Sequence, residues 1–211
     1  MSGIWDFDVM FDILQIILWT LTYALIIGFG LRYRKMPVVF MPLLAGTLNF
    51  AWEINSLIYQ WAISQKLNFG CLVWTVLDIV IYIQNVRYLI ISKKKNIRIV
   101  LYLLLLPGFI ALFYMMFRLP GFNGQLIIAF VIDCIMAVEF LACVKKISSH
   151  GRIPIAITKL FGDLFAWFYY MKFSNFVVFI GVVVFLLNLL YLAFCLEENA
   201  ALSKKKSRRG R

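Results

Sequence analysis

The sequence predicts an all-α fold that crosses a lipid bilayer seven times, and three observations carry that reading. Seven apolar runs occupy residues 11–31, 37–60, 69–91, 97–117, 124–143, 153–172 and 174–196. At about 1.5 Å per helical residue each is long enough to cross about 30 Å of hydrocarbon. Hydrophobic residues make up 64% of the 211 and mean hydropathy is +0.90, outside the range of soluble domains. The bases between the runs alternate in density. Arg32, Arg34 and Lys35 follow the first run, Lys93, Lys94, Lys95 and Arg98 the third, and Lys145, Lys146 and Arg152 the fifth, while Lys204, Lys205, Lys206, Arg208, Arg209 and Arg211 close the tail. The other connections carry only Lys66, Arg118 and Lys172.

Basic connections stay in the cytoplasm. The amino terminus, with Asp6, Asp8, Asp12 and no base, is therefore expected outside and the carboxyl terminus inside. The expected location is the plasma membrane, or the endoplasmic reticulum membrane in a eukaryote. Residues 1–196 read as one transmembrane domain and 197–211 as a basic cytoplasmic tail. A net charge of +11 in a soluble protein would point to nucleic acid; its alternation here assigns it to topology and to anionic lipid instead.

Each run has its own signals. The first follows an acidic tract and lacks a small-residue cleavage pattern, so it reads as a retained helix. Pro37 begins the second run, Pro120-Gly121 separates the fourth from the fifth, and Pro154 opens the sixth. Pro42 and Pro107 fall inside spans, where each should kink its helix or free a carbonyl. Trp5, Trp19, Trp61, Tyr33 and Tyr102 lie near the estimated boundaries, where such rings anchor to headgroups. Cys71, Cys134, Cys143 and Cys195 show no CxxC spacing and His150 is the only histidine, so no metal site, cofactor or disulfide framework is expected. The last span carries no mid-helix lysine, which argues against a retinal Schiff base.

A weak internal echo fits two parallel triplets joined by a fourth helix, a 3+1+3 repeat. Phe50-Ala51-Trp52 in the second run resembles Phe165-Ala166-Trp167 in the sixth, 115 residues on. Leu77-Asp78-Ile79-Val80-Ile81 in the third resembles Leu187-Asn188-Leu189-Leu190-Tyr191 in the seventh, 110 residues on. Parallel repeats of this kind occur in some transporters.

Five acids sit inside the runs: Glu53, Asp78, Asp133, Glu139 and Asp163. A carboxylate in mid-bilayer costs a few kcal/mol and needs a reason. Glu53, Asp78, Asp133 and Asp163 each fall about eight or nine residues from the outer end of their runs, one layer roughly 12–15 Å deep. Glu139 is deeper. Asn49, Trp52, Glu53 and Ser56 share one face of the second helix; Trp74, Asp78 and Ile81 share one face of the third, with Asn85 a turn further. Asp163 and Trp167 are four apart in the sixth, and Lys159, one turn before Asp163, is placed to neutralise Asp163 or Glu139 or to snorkel inward. Packed carboxylates cannot all ionise, so a proton donor at neutral pH is expected among them. The bland alternative for each is an interhelical hydrogen bond worth about 0.6 kcal/mol. Asn49, Trp52, Trp74, Trp167, Asp133, Asp163 and Asn188 form the expected binding wall around Glu53 and Asp78.

Asn49-Phe50-Ala51-Trp52-Glu53, followed by Trp74-Thr75-Val76-Leu77-Asp78, resembles the integral-membrane terpene cyclases of fungal meroterpenoid and indole-diterpene pathways and their bacterial relatives. That family is small and seven-helical, with N-x-x-W-E on its second helix and a W-x-x-x-D-like pattern on its third. The resemblance implies metal-independent cyclisation of an apolar prenyl chain begun by protonating an epoxide or alkene. Glu53 would be the donor or its support, and Trp52, Trp74 and Trp167 would shield carbocations. The family's last-helix aspartate is matched here by Asn188, which cannot donate a proton as an acid does. Asp78, Asp133 or Asp163 would then supply the second acid. Two other readings stand beside it: a small-solute carrier with two triple-helix halves, and a non-catalytic membrane subunit.

Overall fold

The computed structural model describes residues 7–32, 43–64, 69–91, 96–118, 124–144 and 149–209. Among them there is no strand, and seven helices follow in order: α1 (Phe7–Arg32), α2 (Leu43–Ser64), α3 (Phe69–Ile91), α4 (Asn96–Met116), α5 (Gly124–Cys143), α6 (Ser149–Tyr170) and α7 (Asn175–Arg209), with a 3₁₀ turn at Met171–Phe173. Trp5, Tyr33, Pro37, Pro42, Lys66, Pro120 and Gly121 lie outside the described residues.

The boundaries of α3, α4 and α5 fall within a residue of the apolar runs. The other four differ: α2, described from Leu43, runs on to Ser64, four residues past the end of its run. Helix α1 begins a turn early, at Phe7, which puts Trp19 in mid-helix. Helix α6 begins at Ser149, so Pro154 lies inside it rather than at its opening. Helix α7 runs on through the basic segment to Arg209, because Leu196 to Arg209 holds no glycine or proline and several strong helix formers.

Five helical segments are long and apolar enough to cross a membrane: Phe7–Arg32, Phe69–Ile91, Ile99–Met116, Gly124–Cys143 and Asn175–Lys204. Their outer faces are apolar, as Leu104 at 61% exposure and Phe179 at 68% illustrate. These are the features of a helical membrane protein. Helices α2 and α6, each 22 residues long, fall short on polarity rather than length. Their polar side chains point inward: Thr47, Glu53, Asn55 and Ser56 on α2, and Arg152, Thr158, Lys159 and Asp163 on α6, are all buried.

The packing follows from this division. Helix α3 packs on both α1 and α2, and α7 packs on both α5 and α6. Helix α1 lies along α6, and α5 along α2. Every pairing in the first triplet thus has a counterpart in the second. Helix α4 packs on α2 and α3, and Asn55 docks it by donating to the Ile110 carbonyl at 3.0 Å. Glu139 takes a structural part: its Oε2 accepts from the Ala45 amide at 2.7 Å, satisfying one of the orphan donors at the start of α2. Trp61 is 62% exposed, in keeping with an anchor. Trp19 and Tyr102 are not anchors. Both are buried, Trp19 because the early start of α1 carries it inward, Tyr102 because it stacks on Tyr82 at 5.1 Å between ring centroids.

Candidate functional site

A cavity of about 410 Å³ lies between the two triplets. Its walls come from the first two-thirds of α1, the amino-terminal halves of α3 and α5, the stretch of α2 from Asn49 to Gln60 and the carboxyl-terminal end of α6, so it lies toward one end of the bundle. Asp12, Gln15, Gln60 and Phe173 line it near that end; Tyr23 and Asn49 line its floor. From Asp12 to Tyr23 along α1 the depth is roughly 16 Å. The opposite end is filled by Phe140, Ile155, Tyr191 and Cys195, with an ion pair between Arg152 and Glu198.

Aromatic rings make most of the wall: Trp19, Tyr23, Trp52, Trp74, Phe130 and Tyr170. Two of the indoles are fixed through their N–H groups. Trp52 Nε1 donates to the Gln125 carbonyl of α5 at 2.9 Å, and Trp74 Nε1 to Thr20 Oγ1 of α1 at 3.1 Å. Their ring carbons and π faces are what remains for an occupant. Glu53, Asp133 and Asp12 are the carboxyl groups on the lining, and no lysine, arginine or histidine joins them among the described residues. Glu53 is 2% exposed, and its Oε2 has no hydrogen-bond partner among the described residues. The thiol of Cys71, on α3, lies beside it.

Two polar clusters flank the cavity. In the first triplet, Asn49 Nδ2 donates to Asp78 Oδ2 at 2.9 Å and to Tyr23 Oη at 2.5 Å, and the Tyr23 hydroxyl donates to Asp78 Oδ2 at 3.4 Å. Asp78 itself stands one hydrogen bond behind the wall that Tyr23 and Asn49 form. In the second triplet, Lys159 Nζ donates to Asp163 Oδ2 at 2.5 Å, and Asn188 Nδ2 donates to the same oxygen at 2.6 Å. Trp19 separates this cluster from the cavity: the Lys159 ammonium is 5.2 Å from its ring centroid, and Gly162 backs it closely.

The structure therefore sorts the residues singled out from sequence. Asn49, Trp52, Glu53, Trp74 and Asp133 line one cavity. Asp78 touches two of its lining residues. Asp163 and Asn188 bond to each other away from it. Trp167 is also absent from the lining; it lies flat against α7, where a Cβ on Gly181 would come within 2.2 Å of its Cδ1. Sequence reasoning missed Trp19, Tyr23, Gln125, Phe130 and Tyr170 as wall residues. Only the i, i+4 spacing of Trp19 and Tyr23, with Gln15 before them, could have marked one face of α1.

No family model, curated protein or solved structure matches the chain.

Proposed function

We propose that the chain crosses the membrane seven times, amino terminus outside and basic tail in the cytoplasm, as two parallel triplets joined by α4, and that its cavity performs proton-initiated cyclisation of an apolar prenylated substrate. The activity is that of the integral-membrane terpene cyclases which its second and third helices resemble. One observation carries the reading. Glu53 is enclosed, its Oε2 has no partner among the described residues, and it shares the cavity with Trp52 and Trp74. A buried oxygen left without a bond is costly unless something else occupies it, and an epoxide oxygen is a suitable acceptor for the acid's proton.

The steps use groups on the wall. Protonated Glu53 gives its proton to the epoxide oxygen, the C–O bond to the more substituted carbon breaks, and a chain alkene attacks that carbon to form the ring C–C bond. The indole faces of Trp52 and Trp74 stabilise the migrating positive charge by about 0.5–2 kcal/mol each once water is excluded. Asp133, the other mid-depth carboxyl on the lining, accepts the proton released when the last cation collapses to an alkene. Asp78 acts as a positioning residue through Asn49 and Tyr23. Proton transfer by a placed acid contributes about 10²–10⁴ in rate. Glu53→Gln should therefore cut turnover of an epoxy-prenyl substrate at least about 100-fold while melting near wild type. Retention of full turnover by that variant would overturn the assignment.

A second reading is favoured by a separate observation, the matching helix pairings of the two triplets around a cavity open at one end and packed at the other. That is the geometry of a carrier caught facing one side. It predicts solute counterflow in proteoliposomes and no product from epoxy-prenyl substrates.

A further inference from the structure

We propose that the cavity is a binding site for an organic cation, an ammonium carried on a short apolar chain, with its charge between Glu53 and Asp133 against Trp52 and Trp74. The inference shares its cavity with the reading above but needs no chemistry there.

The first argument is charge. Glu53 and Asp133 face the cavity at mid-depth and Asp12 stands near its open end, with no base on the lining among the described residues. The one buried ammonium nearby, Lys159, is already committed to Asp163 at 2.5 Å and lies behind Trp19. Glu53, Asp78 and Asp133 form no salt bridge among the described residues. A diphosphate, sulfate or carboxylate entering here would meet like charge and nothing to pair with it. A cation would meet Asp12 at the entrance, and its arrival deeper in would favour the ionised form of Glu53 and Asp133, an attraction strengthened by low-dielectric walls.

The second argument is the unpartnered oxygen. An acidic group alone defines no site, but Glu53 Oε2 is enclosed, unbonded and on the cavity wall. It is a ready acceptor for an ammonium N–H or for the polarised methyl of a quaternary ammonium.

The third argument selects an organic over an inorganic ion. A hard metal cation asks for about six or more oxygen ligands, and no cluster of three or more His, Cys, Asp or Glu ligands exists among the described residues. Trp52 and Trp74 offer ring faces instead, because their N–H groups are spent on Gln125 and Thr20. Weakly hydrated ammonium groups are what such walls hold. The volume of about 410 Å³ suits a chain of modest length.

The test uses the full chain in nanodiscs of zwitterionic lipid. Tryptophan fluorescence is titrated with hexyltrimethylammonium, with its neutral carbon isostere 2,2-dimethyloctane, and with hexanesulfonate. We expect the ammonium to bind at least tenfold more tightly than the isostere, and the sulfonate to give no saturable signal. Trp52→Leu should weaken the ammonium roughly 3- to 30-fold and leave the isostere within about threefold. Glu53→Gln should weaken it by at least tenfold. The comparison of ammonium with isostere requires no variant, so a misfolded mutant cannot rescue or sink it. Equal binding of isostere and ammonium, or saturable binding of the sulfonate, overturns the proposal. Turnover of an epoxy-prenyl substrate is scored separately. A chain that binds the cation and forms no product keeps this inference and loses the cyclase; a chain that forms product without discriminating the cation does the reverse.

Discussion

Each half of the bundle buries one aspartate beside one asparagine, yet the two are wired differently. In the first, the amide is on α2 (Asn49) and the acid on α3 (Asp78); in the second, the acid is on α6 (Asp163) and the amide on α7 (Asn188). Asn188 follows Asp78 by 110 residues, and Asp163 follows Asn49 at one residue less than the 115 that separates Trp52 from Trp167. The larger difference is the counter-charge. Asp163 has the ammonium of Lys159, wholly enclosed, while Asp78 has, among the described residues, the hydroxyl of Tyr23 and the amide of Asn49. The second cluster is a closed, neutralised pair that holds α6 to α7. The first is a hydrogen-bonded support with no counter-ion among the described residues, and its outer members, Tyr23 and Asn49, form the floor of the cavity. One half is built for cohesion and the other faces the cavity.

The contrast breaks most sharply on stability. Lys159→Met removes the only ammonium paired with Asp163, and breaking a buried pair from one side costs about 3–5 kcal/mol. Asp78→Asn removes a charge that no cation balances and keeps an acceptor for Tyr23, so its cost should be about 1 kcal/mol or less. Thermal unfolding in detergent compares the two directly. Losses of equal size would mean that the clusters do not differ in the way their bonding indicates. The double change Lys159→Met with Asp163→Leu should recover most of the stability lost by Lys159→Met, since a filled apolar pair can replace a buried ion pair.

The tryptophans sharpen the same comparison at a smaller scale. Trp52 and Trp167 are 115 residues apart and start from the same Phe-Ala-Trp context, but only Trp52 lines the cavity. Beside them α3 carries Cys71 where α7, 110 residues on, carries Gly181. The bare Gly181 lets Trp167 lie against the backbone of α7, while Cys71 on α3 carries a side chain that is part of the cavity wall. Gly181→Ala should therefore cost about 1–3 kcal/mol through overpacking against a fixed ring. A smaller Trp167→Leu in the same background should return part of it, which unfolding midpoints would show.

What was legible in the sequence follows from these details. The helices could be read because each apolar run is long and bounded by charge, and because periodicity survives any tertiary arrangement. The face of α2 carrying Asn49, Trp52 and Glu53 was legible for the same reason: spacing along one helix fixes which side chains share a side. The layer of acids was only half legible. Depth counting put Asp163 level with Glu53, but level is not direction, and Lys159 one turn away turns Asp163 toward α7 instead. Trp167 misled because its destination depends on a glycine on another helix. Trp19 was hidden because its place in mid-helix depends on where α1 starts, before the hydrophobic run. Contacts between helices are decided by pairs that one-dimensional spacing does not contain.

The finest test exchanges the polar partners of the first triplet, Asn49→Asp together with Asp78→Asn, to give it the arrangement the second already uses. The exchange preserves every donor and acceptor: the new amide on α3 donates to the new carboxyl on α2, and the Tyr23 hydroxyl, which now accepts from Asn49 and donates to Asp78, turns to donate to residue 49. The double variant should lie within about 1 kcal/mol of the parent, as Asp78→Asn alone does, whereas Asn49→Asp alone leaves two acids face to face and should cost clearly more, a loss that Asp78→Asn then recovers. The coupling between them, read from a double-mutant cycle of unfolding free energies, should fall within about 0.5–3 kcal/mol in favour of the pair. Additive effects would mean that Asn49 and Asp78 do not act as a unit, and the kinship of the two clusters would then reduce to a coincidence of residue types.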